Sequence, residues 1–277
     1  MPTQEGTFVG TGGVEIFWRA WLPDNLRAVV IISHGLGEHS NRYSWLAERM
    51  VEKDLAAFAL DHRGHGRSGG RRGHILSFNE YLQDLDGFRR QVEDRFSSLP
   101  RFLLGHSMGG LIAARYTEDM GAGLTGLILS SAALRVDVDE PAIKLALGRV
   151  MSKIFPALTL GNGLDPNMIS HDRKVVEDYI NDPLVHDRVS ARWYTEFTAA
   201  IETVQERAGK IAIPTLVMQS AEDKLVAPRG AQEFFDRLTV ADKAFQSWPG
   251  FYHEMFNEVE RDKPLALTLQ WIEKHLT

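Results

Sequence analysis

The chain has 277 residues, 44% of them hydrophobic and 25% charged, enough to bury a sizeable core and too apolar for a disordered segment. It contains no cysteine, which excludes disulfide scaffolds, thiolate metal sites, iron–sulfur clusters and cysteine nucleophiles. A formal charge of −6 offers no basic face to a polyanion, so no nucleic-acid partner is expected; the one concentrated positive stretch, Arg63, Arg67, Arg71 and Arg72, reads as a solvated loop.

The opening residues MPTQEGTFVG lack the basic and apolar regions of a secretory signal, and no stretch of about 18 residues is free of charge, so a cytoplasmic protein without a spanning helix is expected. Residues 7–22 read as a hairpin, with Thr11-Gly12-Gly13 as the turn. Strands and helices then alternate. Ala28–Ser33 (AVVIIS) is a continuous apolar run, as in a strand covered on both faces. A helix is expected over Arg42–Lys53 and a second buried strand over Ala56–Leu60, ending in the turn-rich DHRGHGRSGG. Ser77 and Glu80 have capping-box spacing, and Tyr81, Leu85, Phe88 and Val92 then recur on one helical face. Arg101–Leu104 and Leu124–Ser130 are further strands, with a helix at Leu111–Met120 between them.

This rhythm implies a mostly parallel sheet with helices on both faces. It breaks near Ala133 and resumes at Ile213–Gln219, continuing through Ala244–Trp248 to a helix from Pro264 to His275. The stretch between shows helical patches and no clear strand. Residues 1–133 and 201–277 are therefore expected to form the core, and 134–200 a cap inserted into it. Within the cap, residues 141–155 place Ile143, Leu147, Val150, Met151 and Ile154 on one helical face, either turned to the core or forming a lid that touches lipid.

The chemistry centres on Gly105-His106-Ser107-Met108-Gly109-Gly110. The G-x-S-x-G pattern alone is moderately specific, and its bland reading is a Gly-rich packing turn. Here it follows a strand and opens a helix, as a nucleophile elbow requires. A serine hydroxyl needs a base, and the base an orienting acid, in chain order serine, acid, histidine. Of ten histidines, six precede the serine, His171 and His186 fall in the inserted stretch and His275 sits at the end of the terminal helix, which leaves His253, in the loop Pro249–His253 after the last strand. The strand before it ends at Glu222-Asp223, and Asp223 is preferred over Glu222 because Val226, Ala227 and Pro228 launch the next helix. The oxyanion donors expected are the N–H of Met108, after the nucleophile, and of Leu36, in the loop His34–Gly37 after the first buried strand. His62-x-x-His65 has no third ligand placed and reads as a structural turn; Walker A and dinucleotide fingerprints are absent. No cofactor is expected.

Together HGLGEHSNRY, DHRGHGRSGG, GHSMGG, NDPLV at 181–185 and AEDKLV resemble the monoacylglycerol lipase family of α/β-hydrolases, a group also described as lysophospholipase-like or serine-aminopeptidase-like. The resemblance spans the chain. It implies the α/β-hydrolase fold with a helical cap, a triad of Ser107, Asp223 and His253, oxyanion donors Leu36 and Met108, and a glycerol end shaped by Glu38, Arg42 and Tyr179. It also implies cleavage of monoacylglycerols, with peripheral membrane contact through the cap. The chain departs from the family's animal members in lacking pocket cysteines, with Val226 at one such position, and in placing Val175 where they carry an acid, although Glu177 lies close by. The rival readings are a generalist carboxylesterase, a lysophospholipase, and a non-catalytic binding module on the same fold. The sequence carries no signal for oligomeric state.

Overall fold

The computed structural model describes residues 4–136 and 150–276 of the chain. Its strands are β1 (Gln4–Val9), β2 (Glu15–Trp21), β3 (Ala28–Ser33), β4 (Leu55–Leu60), β5 (Arg101–His106), β6 (Gly126–Ser130), β7 (Thr159–Gly161), β8 (Arg188–Ser190), β9 (Thr215–Ser220) and β10 (Lys243–Trp248). Its helices are α1 (Ser44–Val51), α2 (Asn79–Arg95), α3 (Met108–Met120), α4 (Arg173–Asn181), α5 (Ala191–Arg207), α6 (Pro228–Arg237) and α7 (Asp262–Lys274); residues 150–154 are also helical.

Eight strands form one sheet in the order β1-β2-β4-β3-β5-β6-β9-β10. β2 runs antiparallel to both its neighbours, and every other pairing from β4 to β10 is parallel. The continuous apolar runs arise because the sheet is covered on both sides: all six residues of β3 and of β4 are buried. Alternate residues of β3 point to opposite faces. Val29 and Ile31 join Tyr81 and Phe88 of α2, Leu111 of α3, Trp193 and Phe197 of α5 and Phe234 of α6. Val30 and Ile32 join Leu46 and Met50 of α1 and Trp271 of α7. Glu80 reaches back to the N–H of Leu76 (2.9 Å) and Ser77 (3.5 Å), the acidic half of the expected capping box.

Between β6 and β9 no strand joins this sheet among the described residues. β7 and β8, three residues each, instead pair antiparallel with one another. The sequence showed no strand there, since three residues are too few for an alternating pattern to register. α5 runs unbroken through residue 200, and its Trp193, Phe197, Ala200 and Val204 pack into the core. The segment is tied down through backbone bonds: His186 N–H to Gly37 O (2.9 Å), Ser190 N–H to Gly73 O (2.8 Å), and Glu254 N–H to Ile169 O (2.8 Å). Residues 141–149 of the expected amphipathic helix lie outside the described residues. Of its described part, Val150 and Ile154 are exposed while Ser152 is buried, so this face turns away from the core.

The solvated-loop reading of the arginines fails for Arg63. It is buried and forked onto Asp84 of α2 at 2.6 and 2.8 Å, with Glu80 at 3.1 Å. Asp84 and Glu80 lie one helical turn apart, so both carboxylates reach the same guanidinium. Arg67 and Arg71 are exposed as expected.

The first turn of α3 approaches the ends of β3 and β5 so closely that a Cβ on Gly109 would strike the carbonyl oxygens of Ser33 and His34, which are backbone and cannot yield locally. Gly109→Ala is therefore expected to lower the free energy of unfolding by about 2–3 kcal/mol, measured by urea denaturation against wild type. An unchanged midpoint and slope would contradict this packing.

Candidate active site

At the carboxyl end of β5 the chain turns into α3 through Ser107, at φ 55° and ψ −122°, a conformation costly for an L-residue. The turn is held by Ser107 N–H to Ser130 O (3.1 Å) and by Ala133 N–H to Ser107 O (2.9 Å). The loop after β9 supplies Asp223, and the loop after β10 supplies His253; their parallel pairing brings the two loops together. His253 Nδ1 donates to Asp223 Oδ2 at 2.7 Å. Asp223 Oδ1 accepts the N–H groups of Leu225 (2.9 Å) and Val226 (3.0 Å), which aims the carboxylate at the imidazole. Glu222, the alternative acid, is exposed.

Burial works against charge on Asp223, but His253 and the two backbone donors outweigh it and hold its carboxyl below the ordinary value. For His253, burial disfavours the cation, while Asp223, Glu254 and Glu38 favour it and prevail, raising the imidazole above its ordinary 6.5. With Nδ1 committed to Asp223, Nε2 is the nitrogen left to exchange protons.

Ser107 and His253 line a cavity of about 310 Å³ and an adjoining one of about 130 Å³, with Leu36, Asn162, Leu164 and Leu225 shared between them. The larger is the more polar of the two: Glu38, His106, Asp165, Tyr179, His186, Asp187 and Glu254 line it together with Pro166, Ile169, Ile180 and Val185. The smaller is apolar and aromatic, walled by Met108, Val136, Val189, Trp193, Tyr194, Phe197 and Val226. Among the described residues, neither Leu36 N–H nor Met108 N–H has an internal acceptor. Both residues adjoin Ser107.

Of the three residues expected at a glycerol end, Glu38 and Tyr179 face the larger cavity, and Arg42 stands behind it. Arg42 bridges Glu38 (3.0 Å) and Glu254 (2.5 and 2.7 Å), with the Tyr179 ring 4.7 Å from its guanidinium carbon. Burial opposes ionisation of Glu38, yet Arg42, then His106 and His34, and the Tyr43 hydroxyl bring its carboxyl down to about 2. Glu177 is exposed and outside the cavity wall.

Sequence reasoning missed Glu254, His106 and His186. The first two flank His253 and Ser107 in the chain and escaped because the search sought one base and one acid. His186 lies in the inserted stretch, yet it lines the cavity, bonded to Gly64 O at 3.0 Å. Burial, foremost, lowers both His106 and His186 to about 4, so each is neutral near pH 7. Among the described residues no group of three or more His, Asp or Glu is arranged to hold a metal ion; His62 and His65 are buried, bonded to Ser33 Oγ (2.8 Å) and Arg63 O (3.0 Å).

A family model described as serine aminopeptidase, S33, matches residues 24–260. A monoacylglycerol lipase of Mycolicibacterium smegmatis is 35% identical over 274 residues, 98% of either chain. The chain belongs to the monoacylglycerol lipase family of α/β-hydrolases, within this serine aminopeptidase S33 group. The crystal structure of Paleococcus ferrophilus monoacylglycerol lipase matches with a TM-score of 0.86 at 34% identity, covering 94% of this chain and 99% of that one. This family also includes a relative of another stated activity: the phospholipase YtpA of Bacillus subtilis is 37% identical over 245 residues, 87% of this chain and 93% of that protein. The expected α/β-hydrolase fold is thus shown by sequence and structure alike.

If His253 is the base it must be neutral to accept a proton, so its raised pKa predicts activity that climbs with pH through a midpoint above 6.5. Glu254→Gln removes one of the charges that raise it and is expected to shift that midpoint to lower pH. The check is kcat/KM against pH for both proteins; an identical profile would remove Glu254 from the electrostatics of His253.

Proposed function

We propose that this chain is a serine hydrolase that cleaves monoacylglycerols to glycerol and free fatty acid through an acyl-enzyme on Ser107. The observation that carries the reading is the meeting at one serine of two compartments of unequal character, one carrying four carboxylates among apolar side chains and one almost wholly apolar: an ester whose carbonyl lies at Ser107 puts its alcohol in the first and its acyl chain in the second. Ser107 Oγ attacks the carbonyl carbon while His253 Nε2 takes its proton. The leaving alkoxide takes that proton as the C–O bond breaks, and water then repeats the sequence to release the acid. Asp223 holds the tautomer and stabilises the imidazolium. Leu36 and Met108 N–H groups receive the oxyanion, each worth about 3 kcal/mol in the transition state. Glu38 and Tyr179 bind the glycerol hydroxyls, with Arg42 bracing Glu38 from behind.

YtpA, named a phospholipase, favours a second reading, hydrolysis of a phospholipid ester, with a lysophospholipid as the single-chain case. The wall of the more polar compartment weighs against it. Among the described residues that wall carries the carboxylates of Glu38, Asp165, Asp187 and Glu254 and no lysine or arginine, so a phosphodiester headgroup would meet like charge. A panel of monoacylglycerol, lysophosphatidylglycerol and short soluble esters tests both readings. Monoacylglycerol is expected to turn over fastest, and Ser107→Ala to lower kcat by about 10⁴-fold or more. Preference for the lysophospholipid or for short esters would overturn the substrate assignment; an active Ser107→Ala would overturn the mechanism.

The segment 134–200 acts, in this reading, as a cap that meets a lipid surface. Of the exposed large apolar side chains among the described residues, all but Val9, Leu76 and Val259 lie between residues 150 and 180. No helix among the described residues is long and apolar enough to cross a membrane, so the contact would be peripheral. Ile154→Asp and Leu160→Asp are expected to reduce co-sedimentation with lipid vesicles and activity on vesicle-borne substrate, while hydrolysis of a soluble short ester is retained. Undiminished sedimentation would remove the cap from membrane contact.

A further inference from the structure

Gly35 is gripped on both of its peptide groups. Its N–H donates to Glu38 Oε1 at 2.6 Å, and its carbonyl accepts from His34 Nδ1 at 2.7 Å. The other nitrogen of His34 sets the tautomer: His62 N–H donates to Nε2 at 2.9 Å, so Nε2 is an acceptor and the proton sits on Nδ1. The ring is fully buried, 4.6 Å from the His62 ring and 5.4 Å from that of His65, and has no room to swing away. Burial also lowers its pKa, despite Glu38 and Asp61 nearby, and keeps it neutral.

The Gly35 carbonyl and the Leu36 N–H belong to one planar trans peptide and point in opposite directions. Turning the carbonyl inward to His34 therefore turns the Leu36 N–H outward, to the cavity side where Leu36 and Ser107 share the wall. A peptide that follows a glycine flips readily when unrestrained. Flipped, it would aim a carbonyl dipole rather than a donor at the developing oxyanion.

We propose that His34 is a positioning residue for ester hydrolysis, locking the Gly35–Leu36 peptide so that its N–H faces the oxyanion. The inference rests on the acyl-enzyme reading above. It goes beyond that reading by assigning a role to a buried side chain that touches no substrate.

Two near-isosteric variants separate the grips. In His34→Asn the amide nitrogen falls near the place of Nδ1 and keeps a donor for Gly35 O. In His34→Gln the amide falls near Nε2 and keeps an acceptor for His62 N–H, losing the donor. Both are measured beside wild type and Ser107→Ala, for kcat, KM, thermal midpoint and inhibition by a trifluoromethyl ketone, which forms a tetrahedral oxyanion on the serine. His34→Gln is expected to lower kcat about a hundredfold with KM little changed, and to weaken the ketone by a similar factor. His34→Asn should recover at least about tenfold of that loss although both variants lose similar stability. Should His34→Gln fail to fold, His34→Ser takes its place in the comparison. Wild-type kcat in His34→Gln, or equal losses in both variants that follow only their thermal midpoints, overturns the proposal while Ser107→Ala is inactive. Activity in Ser107→Ala instead overturns the reading beneath it.

Discussion

The first turn of α3 lies against the carbonyl ends of β3, at a distance that only a glycine at position 109 allows. The remaining geometry of the site follows from that contact. Ser107 caps α3 in a strained conformation, and the neighbouring loop His34–Leu36 leaves β3 alongside it. The proposed oxyanion donors, the N–H groups of Met108 and Leu36, lie on those two turns. A methyl group between the turns would push them apart.

A second restraint spans the long separation between the β3 loop and the His253 loop. Arg42 lies between Glu38 and Glu254, residues 216 positions apart by their numbers, and is nearly removed from solvent. Burying three charges costs desolvation energy, so this cluster is poor evidence of stability. Its geometric effect is plain. Glu38 holds Gly35 N–H, Glu254 directly follows His253, and a guanidinium shared by both carboxylates fixes one loop relative to the other. Its two carboxylates, Glu254 and Glu38, also raise the affinity of His253 for a proton. The cluster is therefore both a brace and a source of field.

The segment between β6 and β9 divides the space above Ser107. Asp165, Tyr179, His186 and Asp187 come down on one side, and Val189, Trp193, Tyr194 and Phe197 on the other. Its anchoring through backbone bonds to Gly37, Gly73 and the loop carrying Glu254 leaves its side chains free to set the character of each compartment.

The central sheet was legible because each βα unit buries a continuous apolar run, a signal read within half a dozen residues. The positions of Ser107, Asp223 and His253, the proposed triad, were legible because a strand-end turn or loop announces each. Other features had no local signature. The β7–β8 pair is too short for periodicity, and Arg63 resembles its solvated neighbours until Asp84 and Glu80 fold over it. Glu254 gains its role only from Arg42, brought in from across the molecule. By itself the sequence determined the strands, the strand–turn–helix at Ser107 and the strand-end loops that carry Asp223 and His253, because these depend on periodicity and on chain direction. Only the tertiary structure decided which carboxylates share a guanidinium and which side chains wall each cavity, because each of these rests on groups distant in sequence meeting within a few ångströms.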